Sequence, residues 1–547
     1  MFSSTYRVME ANHLNSPTDD HKFGALTPRK SVLVALLTML FILPLIPIHA
    51  QEPPDNVLTP VQPVSGSISD AVPQQEWTFD AKAGQTISLR MQITSGDLDP
   101  LLELIDGRGN VLAQGKHASL SSVAVQAAAI TETATYTVRV GRNGGSASQG
   151  DYRLWLLPGY SFLLINDPMD LETPLRSWRE PNASSRVAQG KLRLALEANN
   201  NFTWTTADAL GNYQDVYLQT KVQLENYNAY WEYGLLLRGK RDGNVAEFYM
   251  LMVNSRGEWR MTASLRDGLR VISDWTAMPT TAKILPLSNS IAVLAQGDTF
   301  TLYFNDVRVG RVTDETLPDA GLIGVVVATS VRPDNIVAAL FDDYLVTVPA
   351  PLTDQPATAP ATLENWNGSS ETILAELVQA GVIPSGGKPG FSLPTAYVSN
   401  NTGGSIIFVT LMDGLDYADM IYAADVVWDS DSENIACALE FRVQDGANFS
   451  IIYFDRKGGY GVRQIAGTEL PIAQEYALTE AIKKENQASN RVLVIALGNR
   501  LLLYINGQLV SNAFVRQVSG SILLAAYNYE RASTYCGFNN VWLRSFN

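Results

Sequence analysis

The chain has 547 residues, 46% of them hydrophobic, with 40 Lys and Arg against 55 Asp and Glu, a formal net charge of −15. An acidic protein repels phosphate backbones and anionic membrane surfaces, and no basic stripe with interleaved aromatics is present, so nucleic-acid binding is excluded. Three of the four histidines (His13, His21, His49) precede residue 50 and only His117 follows, so no multi-histidine metal site can be built.

In chain order, residues 1–50 read as a secretory leader with a long polar start: Arg29 and Lys30, an apolar run over 31–48, and a small residue, Ala50, at the expected cut. The alternative is a membrane anchor left uncleaved over 31–49, though Pro44 and Pro47 would break a spanning helix. Once the leader is cut, nothing else in the chain is expected to insert in a membrane. Residues 51–60 form a proline-bearing linker.

From 61 to 158 the pattern is short alternating strands split by turns. Residues 76–80 make one strand and 85–94 (QTISLRMQIT) another with period two; 100–105 and 111–114 form a hairpin across Asp106 and Gly107, and 135–140 and 152–157 follow. About seven strands in under 100 residues indicate a small β-sandwich. The residues GSISDAVPQQEWTFDAKAGQTISLRM, SGDLDPLLELIDGRGNVLAQ, TYTVRVGRNGG and GDYRLWL resemble the bacterial pre-peptidase C-terminal domain, a jelly-roll-like module of secreted proteins. Some relatives bind calcium, and the resemblance implies Asp97 and Asp99 as its candidates here; two acids do not fill a site of six to eight oxygens, and a turn-stabilising role is the favoured reading. No cofactor is otherwise expected. His117 reads as a surface residue at a loop or hairpin edge.

Residues 160–349 carry a longer β module with expected strands at 216–224, 231–238, 247–253, 259–265, 290–295, 299–305, 322–328 and 339–346. Residues 350–362 are a Pro/Ala/Thr linker held semi-extended by its prolines. Residues 363–547 open with a helix capped by Ser369 or Ser370, striped by Ile373, Leu374 and Leu377 and stopped at Gly381. Strands then follow at 421–427, 438–443, 449–454, 460–465, 492–496, 500–505, 521–526 and 534–543, with a short helix expected at 480–487 behind Thr479.

These two long modules are one pattern written twice, about 201 residues apart. FYMLMVNSRGEW (248–259) matches FSIIYFDRKGGY (449–460), GDTFTLYFNDV (297–307) matches GNRLLLYINGQ (498–508), and FDDYLV from Phe341 matches FNNVWL from Phe538. A repeat this long is a whole sandwich and not a solenoid unit. The shared order of arginine-ended strand, Asp-Gly turn, aromatic-led strands and closing strand resembles the concanavalin A-like lectin/glucanase jelly roll in its laminin-G or glucanase-like variants. The fold class is therefore all-β, three β-sandwich or jelly-roll domains in tandem. Both cysteines, Cys437 and Cys536, fall in the second copy; they either form a disulfide or are two separate buried thiols.

Glycosidases of this fold carry Glu-x-Asp-x-x-Glu on one strand, and no such run occurs; Glu247 and Glu440 stand alone, and the adjacent Asp342 and Asp343 face opposite ways. Catalytic residues are therefore none. Sugar binding needs an aromatic platform and a few polar groups. Candidates are Trp231, Tyr233, Arg238, Tyr249 and Trp259 in the first copy and Arg442, Tyr453 and Tyr460 in the second. For each aromatic, core packing is the competing role, and each arginine has an internal carboxylate as its competing partner. The expectation is a secreted or cell-surface, non-enzymatic binding or adhesion protein that recognises an extracellular glycan or protein polymer. The alternatives are a divergent glycoside hydrolase-like enzyme and a passive structural protein. The residues lining the concave faces of the two copies discriminate: stacked exposed aromatics mean binding, paired carboxylates catalysis, aliphatic filling neither.

Overall fold

The computed structural model describes residues 8–10 and 56–546, apart from 145, 171–175, 197–201, 207–212, 226–229, 243–244, 330–336, 356–357, 412–415, 431, 467–471, 499, 516–518 and 531–533. Among the described residues the chain is antiparallel strand throughout, with one α-helix, in six sheets that pack as three sandwiches, so the all-β expectation holds. Of the expected leader only the short strand Val8–Glu10 is described, paired with Ser405–Thr410; the apolar run 31–48 and its cut lie outside the described residues. No described helix is long and apolar enough to cross a membrane.

The first sandwich sets a five-stranded sheet (Val64–Ile68, Gly150–Pro158, Thr86–Ile93, Ser122–Ala129, Lys116–Ser119) on a four-stranded one (Gln74–Ala81, Ala134–Arg142, Pro100–Ile105, Val111–Gln114). Alternation decides which side chains meet between them: Leu89, Met91, Val138 and Leu154 are completely buried there, while Ser88, Arg90 and Gln92 point the other way. Inside, Trp77 Nε1 donates to the Tyr152 hydroxyl at 2.9 Å.

The second and third sandwiches share one strand order. One sheet runs Phe202–Thr205, Leu322–Ala328, Glu232–Asp242, Val245–Asn254, Glu258–Leu265, Gly268–Ala277; its counterpart runs Ser405–Thr410, Ser521–Asn528, Ile435–Asp445, Asn448–Asp455, Gly459–Ala466, Ile472–Leu478. The opposing sheets match likewise, Lys191–Leu196, Val337–Val348, Val216–Leu224, Asn289–Gln296, Thr299–Phe304, Val307–Thr313 answering Lys388–Asn400, Thr534–Ser545, Met420–Asp429, Ser489–Leu497, Arg500–Ile505, Gln508–Phe514. The long edge strand Lys388–Asn400 is split in the second module into Phe162–Asp167 and Lys191–Leu196, with the hairpin Trp178–Glu180/Ala183–Ala188 between them.

The duplication reaches individual hydrogen bonds. Asn305 and Asn506 each occupy a left-handed turn position (φ 49° and 48°) and donate to Asn289 Oδ1 at 2.9 Å and Asn490 Oδ1 at 2.8 Å. Asp215 and Asp419 each accept from a turn glycine, Gly297 N at 2.7 Å and Gly498 N at 2.6 Å. Arg238 and Arg442 both sit in a bulge at positive φ (52° and 54°). Gly321 and Gly520 press on those bulges, where a Cβ would lie 2.4 and 2.3 Å from the arginine carbonyl carbon.

Cys437 and Cys536 are bonded, with Cα atoms 5.7 Å apart. Because Cys437 belongs to one sheet of the third sandwich and Cys536 to the other, the bond ties the two sheets together.

The three sandwiches form one packed body. The outer face of the first module's five-stranded sheet meets an apolar patch of the second, Tyr217, Leu294, Tyr303 and Leu345. Arg90 crosses to the third module, where Asp419 holds it at 3.1 Å. The helix Ser370–Gln379 lays Ile373, Leu374 and Leu377 against the third module, in a cluster with Ile421, Leu493 and Tyr504. Ser369 is its N-cap, accepting from Thr372 N at 3.3 Å. Gly381 (φ 71°) closes it, its N–H reaching Val378 O while Val382 N–H reaches Leu377 O, both at 2.9 Å. Around that helix the described part of the 350–362 segment is bonded to the modules: Thr353 exchanges two 2.8 Å backbone bonds with His117, and Ala361 O accepts from Leu509 N at 2.9 Å.

The helix expected at 480–487 is not formed; these residues are turns. Asn490 accepts from Lys483 N at 2.8 Å and donates to Lys483 O at 3.0 Å, so its side chain takes the backbone groups a helix would need. Asp97 accepts from Gln149 N at 3.0 Å and Asp99 from the Asn143 amide at 3.4 Å, which places both in the turn-stabilising role. Among the described residues no three His, Cys, Asp or Glu side chains converge as a metal site would require.

Candidate functional site

Packing between modules covers the outer faces of one sheet in each copy. The outer faces that remain belong to the sheets centred on Glu232–Asp242 and Ile435–Asp445. In the second module this face is filled: Leu236, Phe248, Met250 and Met252 are each no more than 2% exposed, with Trp204 and Phe202 edging onto the Phe248 ring at 5.6 Å. Its acids are engaged: Glu232 is bound by Arg260 at 2.9 Å, that guanidinium lying 4.5 Å over Trp275, and Glu258 accepts from the Asn254 amide at 2.9 Å.

The third module puts different residues on the same rows. Across adjacent strands one row reads Ala525, Ala438, Tyr453, Gly461; the next reads Tyr527, Ala436, Asp455; the one on the other side reads Leu523, Glu440, Ile451, Arg463. Small residues make a floor, and tyrosines rise from it. Tyr527 stacks on Tyr529 with ring centres 6.1 Å apart at 17°, and Tyr529 is 57% exposed. Arg463 lies 5.8 Å over the Tyr453 ring. On the far strand Tyr476, 46% exposed, donates to Asp455 Oδ2 at 3.0 Å. Gly461 makes room for this arrangement, since a Cβ there would lie 2.5 Å from the Tyr453 hydroxyl.

Glu440 stands in this face. It alternates with Leu439 and Phe441, which point into the core, so its carboxyl points outward. The residue is only 1% exposed, and its Oε1 has no hydrogen-bond partner. Burial holds its carboxyl well above the usual glutamate range. Burial, and then the neighbouring Glu440, also push the Tyr527 hydroxyl up. A carboxyl that keeps its proton can both donate to and accept from a hydroxyl without bringing a charge.

Most of the residues expected from the sequence to touch a ligand are interior, and seven are corrected here. Trp231 and Tyr233 stack on each other inside the second sandwich, rings 5.0 Å apart, and Trp259 is buried beneath Gly310. Tyr249 is completely buried and donates to Asp314 Oδ1 at 2.7 Å. Arg238 donates to the carbonyls of Gln214, Leu317 and Gly297, and Arg442 to that of Ala418 at 2.8 Å. Burial draws the Arg442 guanidinium down to about 10, with Asp419 opposing the shift. Tyr460 is buried and donates to Val510 O. Only Tyr453 lies on the outer face. Tyr476, Tyr527, Tyr529, Arg463 and Glu440 complete the site; a lone acid between two core hydrophobes in an apolar strand was the signal for Glu440.

A cleft of about 680 Å³ lies between the first and second modules, apart from this face. Its one ion pair, Lys82 with Asp306 at 3.8 Å, is half exposed, and it presents no chemistry of its own.

No protein family description matches the chain, and no curated protein does. Solved structures that align with it include a carbohydrate binding module from Bacillus subtilis (18% identical, covering 28% of this chain and 97% of that one, TM-score 0.23). Domains LG4-5 of the mouse laminin alpha1 chain align over 69% of this chain and 92% of that one, at 9% identity and TM-score 0.20. A Bacillus licheniformis beta-glucanase aligns at 13% identity over 27% and 77%, TM-score 0.20. At these values the likeness decides nothing about this chain; the sandwich fold rests on the strand pairing itself.

Proposed function

We propose that the protein is a secreted, non-enzymatic binder of extracellular glycan, and that the tyrosine-walled outer face of the third module is its sugar site. The observation that carries this reading is Glu440: a buried carboxyl on an outward face, its Oε1 without a hydrogen-bond partner among the described residues, one row from Tyr453. Tyrosine faces stack on the apolar side of a pyranose, and the polar groups of the same face, Glu440 and Arg463, fix its hydroxyls. Hydrolysis asks for two carboxyls about 5 Å apart or wider around a water. The other acid of this face, Asp455, is held by the amides of Lys457 and Gly459, both at 2.9 Å, and by Tyr476. That engagement favours binding over turnover. The second module, with its filled face, acts as scaffold, and the first as the export-associated module its sequence resembles.

Retention of the full chain on a panel of immobilised polysaccharides tests this. Binding to at least one is expected, weakened about tenfold or more by Tyr529→Ala and by Glu440→Leu. Retention on none of them, or retention untouched by both substitutions, removes the proposal.

A further inference from the structure

We propose a second site, independent of the tyrosine face: the cleft where the three modules meet binds a carboxylate-bearing small molecule. The cleft measures about 520 Å³, within the usual range for ligand pockets. In a chain of net charge −15 its described lining holds four cations, Arg90, Arg153, Arg176 and Lys388, against two carboxylates, Asp167 and Asp419.

Both carboxylates are already taken. Asp419 accepts Gly498 N at 2.6 Å on one oxygen and Arg90 at 3.1 Å on the other, with Arg442 a further 4.0 Å away. Asp167 is bound by Arg176 and by Met169 N at 2.7 Å. Arg90 is further fixed between rings, 4.9 Å over Phe162 and 5.7 Å over Trp155.

What remains open is one corner of the first module's outer face. Arg153 lies directly opposite Gln92 on the paired strands, and Trp155 opposite Arg90, so all four side chains share a face. Arg153 is half-buried and makes no hydrogen bond or ion pair among the described residues. Gln92 is only 4% exposed, yet its Nε2 has no acceptor. A buried amide donor beside an unpaired guanidinium is costly unless something accepts from both. A carboxylate meets that need: two oxygens for the fork of Arg153, with lone pairs left for Gln92, against the flat side of Trp155. Two sources have this chemistry, a free organic acid and a sugar acid.

Thermal unfolding of the full chain with added acetate, galacturonate or glucose, at constant ionic strength, separates the cases. A rise in melting temperature with galacturonate alone assigns the cleft to a sugar acid, and a rise with acetate assigns it to the carboxylate as such. In either case Arg153→Gln and Gln92→Leu weaken the response at least about tenfold in apparent affinity. Tyr529→Ala leaves it unchanged, which keeps this site separate from the glycan face. No response to either acid, an equal response to glucose, or an Arg153→Gln variant that responds as the parent does would overturn the proposal.

Discussion

Glu440 shows how much one residue can say when its surroundings are known. An acid whose folded pKa is raised binds its proton more tightly in the native state. Above the ordinary glutamate value the unfolded chain therefore loses that proton first, and stability falls as pH rises toward the folded value. Denaturant unfolding at pH 5 and pH 8 is expected to show the parent losing stability across that interval and Glu440→Gln losing measurably less; equal losses would contradict the assignment. Arg238 and Arg442 behave differently. Each is buried and donates to backbone carbonyls, so Arg442→Met is expected to cost about 3 kcal/mol or more by the same measurement. Sequence placed these arginines as a matched pair in need of partners but not the kind of partner. Period two tells which residues share a face; it does not tell which face is inside. That is why Trp231 and Tyr233 read as a platform while Tyr527 and Tyr529 passed unnoticed.

At the scale of elements, the disulfide and the bulges carry the testable consequences. Cys437 and Cys536 close a loop of 99 residues between the two sheets of the third sandwich, and replacing both with Ala is expected to cost about 2–5 kcal/mol in that module. Gly520→Ala is expected to destabilise through backbone contact alone, since no side chain can give way at 2.3 Å from Arg442. A variant as stable as the parent would show that the bulge relaxes. Central strands were legible because their apolar alternation is strong. Outer strands such as Gly268–Ala277 and Ile472–Leu478 were not, since exposed edge residues carry little pattern. The 480–487 turn was misread because helix propensity is local, whereas the Asn490 side chain that unmakes the helix acts from the following strand.

For the whole molecule, the modules are not beads on a string. The second module's Tyr217, Tyr303 and Leu345 are buried by the first. A chain lacking residues 61–158 is therefore expected to bind a hydrophobic dye or self-associate, read by fluorescence and light scattering; a monomeric, dye-negative product would contradict the packing. Duplication was legible from aligned motifs, but the contacts between modules were not, because no local pattern marks them. Candidate sugar-binding residues were expected in both copies. One fold with two different outer faces was found, filled in the second module and walled by tyrosines in the third.

The most direct test is hydrogen exchange of the full chain with and without the oligosaccharide it retains. Protection is expected in Ile435–Asp445, Asn448–Asp455 and Ser521–Asn528, with none in Val245–Asn254. Protection confined to the second module, or to neither, would contradict the account.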